Sequence, residues 1–181
     1  GVLWPQFMLH AGPIIGMPFS LEGAAFFIEA IALGIYLYGW GKIPAKLHLY
    51  TGIVVGFAGC ASGTLVIAAN GWMNSPTGFI WENGAAHSID PWKALLNDAW
   101  LSQGSHMLIS AFEAVGFAVA GVHALLLLRG NKDPIHPLAL KIALCVGAIA
   151  AILQPINGHF AAQDVAKRQP VKLAAMEAHF E

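Results

Sequence analysis

The chain has 181 residues, 57% of them hydrophobic and only 10% charged, and its mean hydropathy is +0.63. Soluble domains carry about 25% charged residues, so this composition excludes a water-soluble globular domain and indicates an integral membrane protein. A formal net charge of -1 and a pI near 6.8 exclude the basic surface that a nucleic-acid partner would need.

Four stretches are apolar enough to cross a bilayer, which takes roughly 20 residues as a helix. They run from about Pro18 to Trp40, Leu49 to Ala69 and Leu101 to Leu128, with a shorter one from Leu138 to Pro155. The expected fold is all-α: a four-transmembrane-helix bundle over residues 1–155 with a loop at 71–100, forming part of a larger helical subunit. The opening GVLWPQFMLH reads as neither a signal peptide nor a span, and the chain starts at Gly1 rather than Met, which leads to the expectation of residues upstream.

Basic residues set the orientation. Lys42 and Lys46 lie between the first two spans, and Arg129, Lys132 and Lys141 lie between or beside the last two, which puts both short loops on the cytoplasmic side. The 71–100 loop has Lys93 alone against Glu82, Asp90 and Asp98, and residues 1–17 have no ionisable side chain but His10. Both segments are expected outside, with the tail after Pro155. GKIPAK (41–46) and GNKDPIHP (130–137) carry the Pro and Gly of tight connections between antiparallel helices. Gly52, Gly56, Gly59 and Gly63 line span two at spacings of four and three, a pattern for close helix approach. Cys60 and Cys145 lie inside spans and read as small buried hydrophobes.

Two carboxylates, Glu22 and Glu29, interrupt the apolar run SLEGAAFFIEA (20–30). Seven residues place them on one helix face, about 10 Å apart along the axis. Charge at bilayer depth costs roughly 3 kcal/mol or more, so such acids face a cofactor, a proton route or a buried partner. With span one entering from outside near Pro18, Glu22 is expected near the outer surface. His106 enters span three at a similar depth, and a single outer cluster of an iron ligand and an acid is then expected. An intramembrane histidine can serve as an axial heme ligand or as a hydrogen-bonded core residue. Glu113 follows it by 7 residues on the same face, while His123, about 25 Å further along, reads as an imidazole at the inner interface. Ser62 either bonds its own helix backbone or relays protons between Glu29 and the cytoplasmic side. Lys172 and Glu177 sit in a tail patterned by Leu173, Met176 and Phe180, either a solvated amphipathic segment or a site for a polar headgroup.

The segments GPIIGMPFSLEGAAFFIEAIALGIYLYGW (12–40), ANGWMNSPTGF (69–79), HMLISAFEAVGFAVAGVHA (106–124) and GHFAAQDVAKRQPVKLAAMEAHFE (158–181) together resemble, in order, the first subunit of cytochrome bd quinol oxidase. The resemblance implies a multi-pass protein of a bacterial or archaeal cytoplasmic membrane. It would oxidise ubiquinol or menaquinol at the outer face and reduce O2 to water, generating a proton motive force. It implies low-spin and high-spin heme b and heme d as cofactors. It also implies that His106 is the axial ligand of the low-spin heme b and that Glu22 stands at the high-spin heme b and heme d. Glu29 and Ser62 would lie on the proton path, and Lys172 and Glu177 would serve quinol oxidation at the start of a quinol-binding loop, residues 156–181.

The sequence departs from that family's pattern in lacking an earlier helix with a histidine ligand, a methionine as second low-spin ligand, and the GRQPW block. The resemblance therefore implies a fragment or split-chain version, with the remaining half of subunit I and a second large oxidase subunit as partners. Glu113 stands where the family usually has an apolar or small residue. Two other readings stay open: a di-heme b-type quinol oxidoreductase without an oxygen site, and a heme-free assembly subunit.

Overall fold

The computed structural model describes residues 3–178. In chain order its elements are α1 (Pro5–Tyr38), α2 (Ala45–Asn74), β1 (Ile80–Glu82), β2 (Ala85–His87), α3 (Pro91–Leu95), α4 (Trp100–Leu128), α5 (Ile135–Arg168) and α6 (Pro170–Met176). Helices α1, α2, α4 and α5 are long and apolar enough to cross a membrane. By contact density the chain divides into two compact units, residues 1–104 and 105–181.

The first unit is built on the antiparallel α1–α2 hairpin. Helix α1 begins 13 residues before the expected start of span one, because Pro13 and Pro18 lie inside it rather than ending it. Each proline removes one backbone donor, but in an apolar surround unwinding the helix would strand many more polar groups. Pro18 is buried, and just beyond it the Ser20 hydroxyl donates back to the Gly16 carbonyl at 2.9 Å. Residues 5–17, expected as an external segment, are thus helical, and Glu22 stands about 25 Å from the helix start. Glu22 thus lies at the midpoint of α1 rather than near its start.

The 71–100 region is folded, not a plain loop. β1 and β2 form a two-stranded antiparallel hairpin pairing Ile80 with His87 and Glu82 with Ala85. Gly78, at φ +81°, turns the chain so that its carbonyl accepts the Asp90 N–H at 2.8 Å, a backbone shape that L side chains avoid. Asp90 then caps α3, its Oδ1 accepting from the N–H groups of Trp92 and Lys93. Beneath this cover lies the apolar core of the unit: Ala11, Ile14, Ile15, Trp72 and Ala94, with Phe79, Ala86 and Ile89 against it. Asn97, 2% exposed, ties the cover to α2 by donating to the Ala68 and Ala94 carbonyls at 2.9 and 3.0 Å.

In the second unit the 129–134 turn reverses the chain between α4 and α5, with Gly130 at φ +83°. The two helices meet most closely at glycine: a Cβ on Gly116 would lie 2.8 Å from the Gly147 Cα. Helix α5 does not stop at Pro155; that proline lies within it and the helix runs on to Arg168. The fourth span is therefore 34 residues rather than 18, and the segment expected as a tail supplies three more helical turns.

Outward faces are apolar, with Phe27, Phe57 and Ile152 each about two-thirds or more exposed, as lipid or further helices require. Cys145 also lies on an exposed face rather than in the interior, while Cys60 is half-buried.

Candidate functional site

One face of α1 repeats every seven residues, carrying Glu22, Glu29 and Tyr36, and α2 answers each of these with a small residue. The Ser62 hydroxyl donates to Glu22 Oε1 at 3.2 Å. At Gly59, a Cβ would lie 3.1 Å from Glu29 Oε1, so the bare glycine provides the room in which that carboxylate sits. At Gly52, a Cβ would lie 3.0 Å from the Tyr36 ring. Two of the four glycines in the α2 stripe therefore accommodate functional or aromatic side chains of α1, a more specific use than close helix approach alone.

Ser62 is buried and Glu22 half-buried. Sequence reasoning placed the hydroxyl either on its own backbone or next to Glu29; the structure gives it to Glu22. The arrangement lets Glu22 hold a proton or a charge with a hydroxyl partner already in place, and a hydroxyl can donate to a carboxylate and accept from a carboxylic acid. Glu29 continues the same face about 10 Å toward the inner end of α1.

At that inner end a feature appears that the sequence reading missed. His48 stacks on Tyr36 with ring centroids 4.3 Å apart, meets Trp40 edge-on at 4.8 Å, and its Nε2 bonds the Tyr36 carbonyl at 2.9 Å. The histidine closes the end of α1 by satisfying one of its last carbonyls. The signal was available as aromatic and histidine residues flanking the GKIPAK turn.

His106 lies in the second unit, 6 residues into α4. Its Nδ1 meets Asn157 Oδ1 at 3.2 Å, and the Asn157 amide nitrogen donates to the Ser105 hydroxyl at 2.7 Å. Gln154 approaches from the same face of α5, its Nε2 3.1 Å from His106 Nε2 and 3.4 Å from Nδ1. Gly158 lies alongside, where a Cβ would stand 3.5 Å from the ring Cε1. The side-chain oxygen of Gln154 is buried without a hydrogen-bond partner among the described residues.

These contacts bear on whether the site suits an axial heme ligand. The Asn157 amide nitrogen turns to Ser105 and its oxygen faces Nδ1; a proton on Nδ1 would satisfy that oxygen and leave Nε2 its lone pair. An imidazole that ligates iron needs that tautomer, held by an acceptor on its far nitrogen. The residues present fit the group. Gln154, lying over the ring, leaves the Nε2 lone-pair direction open.

The other candidates are not drawn into these clusters. Glu113 is half-buried on α4. His123 pairs with His136 of α5, Nδ1 to Nδ1 at 2.9 Å, where sequence reasoning saw a single interfacial imidazole. Lys172 lies in α6 and Glu177 caps its end; both are exposed. Five residues of helix separate two side chains by about 140° around the axis, so α6 does not present them on one face. Leu173 is half-buried and Met176 exposed, and Phe180, the third member of that apolar pattern, lies outside the described residues. Among the described residues no cluster of three or more His, Cys, Asp or Glu side chains could hold a metal ion; an axial heme ligand needs only one.

The fold and these side chains define a multi-pass helical membrane protein that keeps acids and a hydrogen-bonded imidazole between its helices. The family model for cytochrome bd terminal oxidase subunit I matches residues 1–181, and the chain belongs to that family. It is 31% identical over 182 residues to the cytochrome bd ubiquinol oxidase subunit 1 of Bacillus subtilis, covering 100% of this chain and 39% of that protein. Against the cytochrome bd-II ubiquinol oxidase subunit 1 of Escherichia coli the identity is 28%, covering 100% of this chain and 36% of the relative. The solved bd oxidase from Geobacillus thermodenitrificans matches with a TM-score of 0.88 and 37% identity, over 98% of this chain and 41% of that one. The chain thus spans about two fifths of the length of the relatives it matches.

Proposed function

We propose that this chain is the heme-containing part of a terminal quinol oxidase that oxidises ubiquinol or menaquinol and reduces O2 to water in a bacterial cytoplasmic membrane. The family membership supports the reaction class, and the His106 network is the observation that carries the cofactor assignment. Heme groups bound to the complete enzyme supply the one-electron steps between quinol and dioxygen. His106 would hold the low-spin heme b through Nε2, with Asn157 Oδ1 accepting from Nδ1 on the far side of the ring. Glu22 serves the site of the high-spin heme b and heme d.

Protons consumed in making water enter from the cytoplasmic side. Glu29 and Ser62 hold and pass them along the α1–α2 face: the Gly59 gap gives the Glu29 carboxyl freedom to turn, and the Ser62 hydroxyl delivers to or receives from Glu22. A carboxyl and a hydroxyl suit this task because each can both donate and accept a proton. Residues 156–181, comprising the last turns of α5 and then α6, form the start of the quinol-binding loop at the outer face. There Lys172 orients the quinol and Glu177 accepts its proton. Protons released outside and consumed from inside separate charge without a pump. The remaining half of subunit I and a second large subunit complete the enzyme.

The test is a reduced-minus-oxidised spectrum of the purified complex. The reading expects b-type bands and a red-shifted chlorin band, and loss of the low-spin b component in His106→Ala. A complex without heme absorbance, or an unchanged low-spin signal in that variant, overturns it. Oxygen uptake on added quinol separates it from a b-type quinol oxidoreductase lacking an oxygen site.

A further inference from the structure

We propose that Asn157 is the positioning residue of the His106 imidazole, selecting by its amide orientation the ring nitrogen that is free to ligate. The inference deepens the heme reading and rests on it.

The argument begins with helix register. Antiparallel α4 and α5 face each other at three levels: His106 with Asn157, Gly116 with Gly147, and His123 with His136. Residue numbers at the first two levels add to the same total, so the helices run in steady register. The glycine contact is close enough to fix the spacing between them. Asn157 is therefore carried to His106 by two rigid helices pinned a few turns away.

The amide of Asn157 has two ends and two different neighbours. Its nitrogen lies 2.7 Å from the Ser105 hydroxyl oxygen, and its oxygen lies 3.2 Å from His106 Nδ1. Turned about, the amide would aim N–H at Nδ1, which would then have to be the bare nitrogen, and Nε2 would carry the proton and be unable to bind iron. The orientation seen here, with the amide oxygen toward Nδ1 and its nitrogen toward Ser105, is the one that leaves Nε2 free. The acceptor is a neutral amide, so it orients the ring while adding less electron density than a carboxylate would.

Gln154 stands three residues before Asn157, on the same face of α5. Its nitrogen stands 3.1 Å from Nε2 and 3.4 Å from Nδ1, so it lies over the imidazole rather than along the Nε2 lone pair and leaves that direction open. Its oxygen is buried without a hydrogen-bond partner among the described residues.

The experiment compares Asn157→Asp, Asn157→Leu and His106→Ala in the assembled complex by redox titration of the low-spin heme b and by its optical and EPR spectra. Asn157→Asp places a carboxylate on Nδ1, makes the imidazole a stronger donor, and is expected to lower the midpoint potential of that heme with its low-spin spectrum retained. Asn157→Leu removes the acceptor and is expected to broaden the EPR signal or convert part of the heme to high spin. Wild-type potential and spectrum in the Asp variant, with the low-spin heme lost in His106→Ala, overturn the positioning role and leave the heme reading intact. A low-spin heme that survives His106→Ala overturns both. Should the Leu variant fail to assemble, the Asp variant still decides.

Discussion

Ser62 of α2 donates a hydrogen bond to Glu22 of α1 at 3.2 Å, joining two residues 40 positions apart across the hairpin. The pair is the one place on this face where a buried hydroxyl meets a carboxyl directly. Replacing Ser62 by Ala removes the donor and leaves a methyl-sized group in its place. Loss of a neutral hydrogen bond costs about 1 kcal/mol, too little to unfold the hairpin. In the assembled complex Ser62→Ala is expected to retain its heme content while quinol-driven oxygen uptake falls several-fold, with the Glu22 carboxyl band displaced in a difference infrared spectrum. Unchanged turnover together with an unmoved band would remove Ser62 from the proton path.

Gly59 sets up a contrast between stability and function. A methyl group there would lie 3.1 Å from Glu29 Oε1 and would push the carboxyl aside by a few tenths of an ångström. Alanine in a helix interior is favoured over glycine by about 1 kcal/mol. Gly59→Ala is therefore expected to unfold at the same or a higher temperature than the wild type, yet turn over more slowly, and Gly59→Val to be slower still. A variant that gains stability and keeps full turnover would show that Glu29 needs no room at this position.

The acids and the imidazole were legible in the sequence because charge in an apolar run is conspicuous. Their partners were not, and the reason is physical. Glu22, Glu29 and Tyr36 share a face by simple periodicity, but which α2 residue each meets depends on the register of the hairpin, which the connecting turn sets. Asn157 was hidden by Pro155. A proline inside an apolar stretch reads as the end of a span, and the helix instead continues through it, carrying Asn157 to His106. Pro13 and Pro18 concealed the first turns of α1 in the same way. The ANGWMNSPTGF block was visible as a family signature, whereas its physical task emerges only from packing: Trp72 is buried in the core and its indole N–H donates to the Thr77 carbonyl at 2.9 Å.

Gly116 and Gly147 fix the approach of α4 to α5, and the consequence is testable at a distance. A Cβ on Gly116 would stand 2.8 Å from the Gly147 Cα, a backbone atom that cannot move without its helix. Overpacking of this kind costs about 1–3 kcal/mol. Gly116→Ala is expected to lower the thermal stability of the complex and to weaken the low-spin heme signal as well, although the residue lies about 15 Å along the helix from His106. Gly121→Ala, on the same helix where a Cβ meets nothing within 4 Å, is the matched control and is expected to change neither.

Asn97 holds the folded cover to the membrane helices, and its burial makes the prediction sharp. Its amide nitrogen serves the carbonyls of Ala68 and Ala94, its oxygen accepts from the Ala99 N–H at 3.2 Å, and Gly71 leaves space for that oxygen, since a Cβ there would lie 2.8 Å away. Alanine at position 97 strands those backbone groups in an apolar setting, at about 1–3 kcal/mol for each buried partner left unpaired. Aspartate is no better, because it offers two acceptors where donors are needed. Both variants are expected to loosen residues 75–99 and leave the helices folded, which limited proteolysis should report as faster cleavage near the Asn83–Gly84 turn with the helical circular dichroism unchanged. Wild-type cleavage rates in both variants would mean that the core around Trp72 and Ala94 holds the cover without this amide.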